Sequence, residues 1–236
     1  MTGAAGRRDE LAASLAEVRE RIARACSAAG RPAEEVTLVA VTKTYPASDV
    51  VLLAGLGVTD VGENRDQEAA PKARAVRAEG LTPRWHFIGQ LQRNKAKSVA
   101  GYADVVESVD SVRLAAALAA AAEARSREID VLVQVSIDGD PSRGGAIGDD
   151  LWRISDAVAA SSSLRLGGLM AVAPLDWDPD RAFEQLAVLS ARLVKAHPDA
   201  TAISAGMSGD LEAAVRHGAT HVRIGTSLLG MRNPLR

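Results

Sequence analysis

The sequence predicts an α/β chain folded as a single (β/α)8 barrel, with an extra helix ahead of the first strand. Eight short β-branched runs alternate with alanine-rich helical stretches, and 236 residues is a length such a barrel occupies. Polar and glycine residues also collect where the runs end, on what would be one face of a closed sheet. Alternation alone does not show closure, so a doubly wound open sheet stays the competing architecture. No linker composition, low-complexity tract or charge run interrupts residues 1–236, which are expected to form one domain.

Each element has its own signal. From Asp9 to Ala29, Leu11, Leu15, Val18 and Ile22 recur at spacings of three and four between charges, and Gly30 with Pro32 stops the helix. The expected strands are Val36–Val41, Thr59–Val61, Trp85–Ile88, Ala103–Val106, Val131–Ile137, Leu164–Val172, Thr201–Ser204 and His221–Ile224. The second is short and flanked by glycines. Helices are expected over Ser48–Leu56, Asp66–Glu79, Asn94–Ala100, Ser111–Arg127, Asp149–Ala160, Pro179–Ala196 and Gly209–His217. Asp138–Gly148 and Ala173–Asp178 read as strand-to-helix loops.

Composition narrows the function. With 47% hydrophobic and 25% charged residues the chain is a globular type. A formal charge of -2 argues against a general nucleic-acid surface. The single cysteine, Cys26, excludes an internal disulfide framework and a cysteine metal cluster, and suits a reducing cytoplasm. The histidines lack metal-ligand spacing, so no metal is expected. No apolar stretch approaches the length of a membrane span, and the residues after Arg7-Arg8 are amphipathic rather than signal-like. A cytoplasmic location is expected.

Lys43, at the end of the first strand, is the sharpest chemical signal. The chain has five lysines against 23 arginines, so a lysine after so apolar a run is not explained by solubility. A desolvated lysine amine can lose its proton and attack a carbonyl, which a guanidinium cannot; an isolated lysine there would simply snorkel to solvent. The second signal spans Gly206 to Ser227. It holds two small-residue loops, Gly206/Ser208/Gly209 and Gly225/Thr226/Ser227, after the seventh and eighth strands. Amides and hydroxyls in such loops bind phosphate dianions, and barrels commonly place a phosphate there. An imine-forming lysine with a phosphate cup suggests a phosphorylated aldehyde, either pyridoxal 5'-phosphate (PLP) or the sugar phosphate of a Schiff-base aldolase. Arg223 would then face the pyridine nitrogen, unless it pairs with an acid such as Glu63. An arginine cannot accept the proton that a carboxylate would keep on that nitrogen, so the ring would be a weaker electron sink. Asn64 is read as a partner of the ring's phenolic oxygen or as a helix cap, Met170 as packing, and His86 as a hydrogen-bonded structural histidine.

These strings resemble a known family. LVAVTKTYP around Lys43, VGEN (61–64) with Gln67-Glu68, WHFIGQLQRNK (85–95), GLMAV (168–172) and GMSGDLEAAV…GATHVRIGTSLLG (206–230) are similar to the pyridoxal phosphate homeostasis protein family, in order from about Asp9 to Arg232. The resemblance implies a TIM barrel of the alanine-racemase N-terminal type that holds PLP as a Schiff base on Lys43. It implies phosphate contacts from Ser208, Gly225 and Thr226, a pyridine-nitrogen partner in Arg223, and Asn64 near the ring; Met170 is a candidate for packing against that ring. Arg65-Asp66, TSLLG (226–230) and SRGG (142–145) depart from the family's usual residues at the pocket rim.

The same resemblance implies a role in vitamin B6 balance, with PLP as ligand and PLP-dependent apoenzymes as recipients. A racemase needs acids and bases on both faces of the substrate carbon, one of them supplied by a second domain. The chain ends at Arg236, which leaves no room for that domain, and neither Tyr45 nor Tyr102 is evidently placed to serve. A non-catalytic, monomeric binder is therefore expected, and a weak PLP-dependent amino-acid racemase is the alternative.

Overall fold

The computed structural model describes residues 4–230. The strands β1 (Thr37–Val41), β2 (Asp60–Glu63), β3 (Arg84–Phe87), β4 (Val105–Val109), β5 (Ile129–Gln134), β6 (Leu164–Met170), β7 (Ala202–Ser204) and β8 (His221–Ile224) form a closed barrel in chain order. All eight pairings are parallel. The seam sets Thr37, Leu38, Val39 and Ala40 of β1 opposite His221, Val222, Arg223 and Ile224 of β8. Every strand is paired on both sides in chain order, so no edge remains and the doubly wound open sheet is excluded.

The helices are α1 (Ala4–Ala28), α2 (Ala47–Gly55), α3 (Asp66–Ala78), α4 (Ala96–Val99), α5 (Val112–Glu123), α6 (Asp150–Ala159), α7 (Pro179–Ala196), α8 (Leu211–Arg216) and α9 (Thr226–Leu229). The last is a single turn. The place it leaves in the outer ring is taken by α1, which packs between α8 and α2. Its predicted stripe of Leu11, Leu15, Val18 and Ile22 is buried there. Arg7 pins the start of α1 by donating to Asp49 at 2.8 Å and to the Leu229 carbonyl at 3.0 Å.

Sequence expectation and structure part at three places. β4 runs to Val109, so Glu107 and Ser108 lie within it instead of beyond its end, and the register shifts between Val106 and Val109. β5 starts at Ile129 and leaves the sheet after Gln134, with Val135 bridging to Ala146 of the following loop. Asn94–Ala100 divides into a 3-10 turn over Arg93–Lys95 and the short α4.

Polar residues fill much of the barrel interior. His86 on β3 bonds Glu107 on β4 through Nδ1 at 2.6 Å and Asp60 on β2 through Nε2 at 2.9 Å. Ser204 on β7 donates to the other Glu107 oxygen at 2.6 Å. Strands β4 and β7 are not neighbours, so this bond crosses the barrel's inside. Arg223 on β8 completes the chain, donating to Ser204 Oγ at 2.6 Å and to the Ala171 carbonyl at 2.8 Å. Burial alone would lower the His86 pKa, but hydrogen bonds to Asp60 and Glu107 outweigh it and push it up to about 9. Burial likewise opposes ionisation of Glu107, yet His86, Arg223 and Ser204 hold its carboxyl down at about 2. Two carboxylates thus face two cations, and the buried charge balances.

The raised His86 value makes stability depend on pH. Its contribution is complete below an ordinary histidine value near 6.5 and is lost as pH rises through about 9. At roughly 1.4 kcal/mol per pH unit the total is on the order of 3 kcal/mol. Denaturant unfolding at a series of pH values should show stability falling from neutrality toward pH 9. Nitrogen NMR should find the His86 ring still doubly protonated at pH 8; a neutral ring there contradicts the charge-balanced interior.

Candidate functional site

Where the loops after β1, β2 and β8 meet lies a cleft of about 540 Å³, lined by Val41, Lys43, Thr44, Tyr45, Asn64, Arg65, Glu68, Gly225, Thr226 and Gly230. That size falls within the roughly 300–1,000 Å³ of small-molecule sites. Closure of β1 on β8 is what places Lys43 beside Gly225 and Thr226. Lys43 stands two residues beyond the end of its strand and is exposed, not desolvated at the strand end as its sequence context suggests. The strand stops because the chain must turn: Thr44 takes a left-handed backbone with φ of 74°, and α2 begins three residues later.

The Lys43 turn is held from several sides. The Thr42 amide donates to the Gly62 carbonyl at 3.0 Å, extending the ladder one step past β1. Thr42 Oγ1 donates to Glu63 Oε1 at 2.6 Å, and Lys72 Nζ donates to the same oxygen at 2.5 Å and to the Thr42 carbonyl at 2.7 Å. The Thr44 amide donates to Glu68 Oε2 at 3.0 Å, and the Tyr45 hydroxyl to the Gly230 carbonyl at 2.7 Å. Burial pushes the Glu63 carboxyl above the usual range even with the Lys72 ammonium beside it.

Asn64 follows β2 and lines the cleft half-buried. It does not cap α3, whose N-cap position is Arg65, so the capping alternative falls away. Gly89 packs against its backbone: a Cβ at that position would lie 2.0 Å from the Asn64 carbonyl oxygen. The glycine of the HFIG string is therefore a close-approach requirement.

The two small-residue loops come together as the sequence predicts. The Ser227 amide points at Ser208 Oγ, 3.4 Å away. Gly206, with φ of 90°, lets the first loop turn where a Cβ would lie 2.6 Å from Ala214 Cβ. Since α9 is one turn long, phosphate affinity here would rest on hydroxyls and individual amides more than on a helix macrodipole.

Two candidates lie deeper than expected. Arg223 is buried, and its acid neighbour is Glu107 at 3.8 Å rather than Glu63, which belongs to Lys72. Met170 packs with Val105 and Leu132 inside the barrel instead of lining the cleft. Its strand position was legible, but inward-facing β6 residues at this level are core. The sequence reading missed Tyr45 and Glu68 on the cleft wall, and Asp60 and Glu107 beneath it. Acids inside otherwise apolar strands were the signal available for that last pair.

Residues 13–233 match the family model of the alanine racemase N-terminal domain. The chain is 45% identical to the pyridoxal phosphate homeostasis protein of Mycobacterium leprae (strain TN), covering 97% of this chain and 96% of the relative. It is 47% identical to the protein of that name from Mycobacterium tuberculosis (strain H37Rv), covering 96% and 94%. Among solved structures, PipY of Synechococcus elongatus PCC7942, determined with PLP bound, superposes with a TM-score of 0.82 at 32% identity, covering 93% of this chain and all of PipY. Matches 231–233 lie outside the described residues, as do the Met231-Arg232 end of the sequence resemblance and the chain end at Arg236. No helix among the described residues is long and apolar enough to cross a membrane. The chain belongs to the alanine racemase N-terminal domain family, and within it to the pyridoxal phosphate homeostasis proteins.

Proposed function

We propose that this protein binds PLP on Lys43, in the cleft between the loops after β1, β2 and β8, and holds it in reserve without catalysing a reaction on it. The observation that carries the reading is the convergence of one amine, Lys43, and the small-residue loop Gly225-Thr226 on a single cleft, with Ser208 Oγ beside the adjoining Ser227 amide. The residues fit the cofactor: PLP supplies an aldehyde that condenses with an amine and a phosphate dianion that needs neutral donors. Lys43 offers the amine, Ser208, Gly225 and Thr226 the donors, and Asn64 a polar edge. Arg223, fixed beneath by Ser204 and the Ala171 carbonyl, stands as the cation on the barrel side.

The cleft wall also supports the non-catalytic part. Besides Lys43 its ionisable groups are Tyr45, Arg65 and Glu68. The Tyr45 hydroxyl is committed to Gly230, and Glu68 accepts from the Thr44 amide and lies 3.7 Å from Arg65. Both serve the backbone, which leaves no second proton carrier opposite Lys43 among the described lining residues for the two-base chemistry of a racemase. We read residues 1–236 as one cytoplasmic, monomeric domain whose cofactor passes to PLP-dependent apoenzymes.

Borohydride treatment of the protein with PLP, followed by peptide mapping, should place the adduct on Lys43. Lys43→Ala should abolish both adduct and visible absorption, and an adduct on Lys72, Lys95, Lys97 or Lys195 would overturn the reading. Ser208→Ala combined with Thr226→Ala removes two charge-assisted hydrogen bonds, each worth about 1.5–3 kcal/mol. PLP affinity measured by equilibrium dialysis should fall at least tenfold; an unchanged value would move the phosphate elsewhere. Prolonged incubation of the loaded protein with L-amino acids and chiral chromatography should show no turnover above that of free PLP. Turnover abolished by Lys43→Ala would establish the racemase instead.

A further inference from the structure

The buried pair of Lys72 and Glu63 has no part in the cleft itself. Lys72 comes from α3 and is 8% exposed; Glu63 ends β2 and is fully buried. One Glu63 oxygen, Oε1, takes hydrogen bonds from both Lys72 and Thr42, while Oε2 has no hydrogen-bond partner among the described residues. Such a pair is a poor stabiliser, because desolvating two charges offsets most of their attraction and apolar residues of equal volume often serve as well. An apolar pair could not, however, hold the Thr42 carbonyl. Lys72 Nζ does so at 2.7 Å, on the residue directly before Lys43. Glu68, one turn earlier on the same face of α3, accepts the amide of Thr44 on the other side at 3.0 Å. The peptide carrying Lys43 is thus gripped before and after by one helix, at a point where Thr44 has the left-handed backbone that costs a β-branched residue most. Such a conformation persists only where its surroundings over-determine it.

We propose that Lys72, with Glu63 and Glu68, is a positioning residue for Lys43: the α3 clamp fixes the strained turn and so aims the amine into the cleft. This rests on the reading that Lys43 is the residue that carries PLP. Lys72 touches neither cleft nor cofactor and acts through the backbone of residues 42–44. Geometric placement of a reacting group within tenths of an ångström is worth orders of magnitude in rate, so the clamp should show in kinetics more than in fold.

The test compares the unaltered chain with Lys72→Met, Lys72→Arg and Glu68→Ala. Three quantities are read: the rate at which PLP becomes trapped on Lys43 by borohydride, amide hydrogen exchange at Thr44 in the cofactor-free protein, and thermal unfolding. Lys72→Met should slow trapping on Lys43 about tenfold or more and speed Thr44 exchange by a similar factor, while Lys72→Arg, which can still donate to Thr42 and Glu63, should recover most of both. A folded Lys72→Met protein with unchanged trapping and exchange would overturn the proposal, as would a defect that Lys72→Arg does not relieve. Should Lys72→Met fail to fold, Glu68→Ala decides: faster Thr44 exchange together with slower trapping at an unchanged unfolding midpoint supports the clamp, and unchanged Thr44 exchange or unchanged trapping refutes it. If the unaltered chain carries no adduct on Lys43, the cofactor reading has failed, and Thr44 exchange in Lys72→Met still judges the clamp.

Discussion

Everything at the mouth of this molecule depends on the pairing of β1 with β8. Those strands lie at opposite ends of the barrel's sequence, and their ladder is the step that turns a sheet into a closed ring. Without it Lys43 and the Gly225-Thr226 loop would stand on separate edges. With it they share one wall of one cleft, and the interior becomes a sealed volume that side chains must fill. Parallel strands buried on both faces are usually filled with Val, Ile and Leu. Here the filling is partly ionic, and the consequences run through the rest of the structure.

The interior chain from Asp60 through His86, Glu107 and Ser204 to Arg223 is tolerable only because each charge meets its opposite with direct hydrogen bonds. It leaves Arg223 little freedom of position. Its guanidinium is buried and fixed by a serine hydroxyl and a backbone carbonyl. This cation is therefore a fixture of the scaffold and not a freely swinging side chain.

How much of this could be read from the sequence varies with the kind of interaction. Strand order and helix faces were legible because burial imposes a period on apolar residues, as with Leu11 to Ile22. The end of β4 at Val109 is not legible because Glu107 and Ser108 interrupt the apolar run, although Glu107 is fully buried as part of an internal ion network. The two small-residue loops are visible in the sequence, and the structure brings them together at Ser208 and Ser227. Lys43 was found as a residue but not as a conformation, because the left-handed backbone at Thr44 arises from contacts with α3 that no local pattern encodes. Tyr45 and Glu68 escape for the same reason, while Met170 packs in the core with Val105 and Leu132, in keeping with its reading as a packing residue.

The arrangement of α1 has a consequence for how the chain assembles. This helix closes the outer ring against α8, yet it is synthesised ahead of every strand, and the partner it needs emerges near the end of translation. Until then only α2 is at hand to cover part of its apolar stripe. Nascent chains in that state are exposed to wrong partners, including copies of themselves. The charges set among those apolar residues, Glu17, Arg19, Glu20 and Arg21, keep the waiting helix soluble while the remainder of the barrel is made.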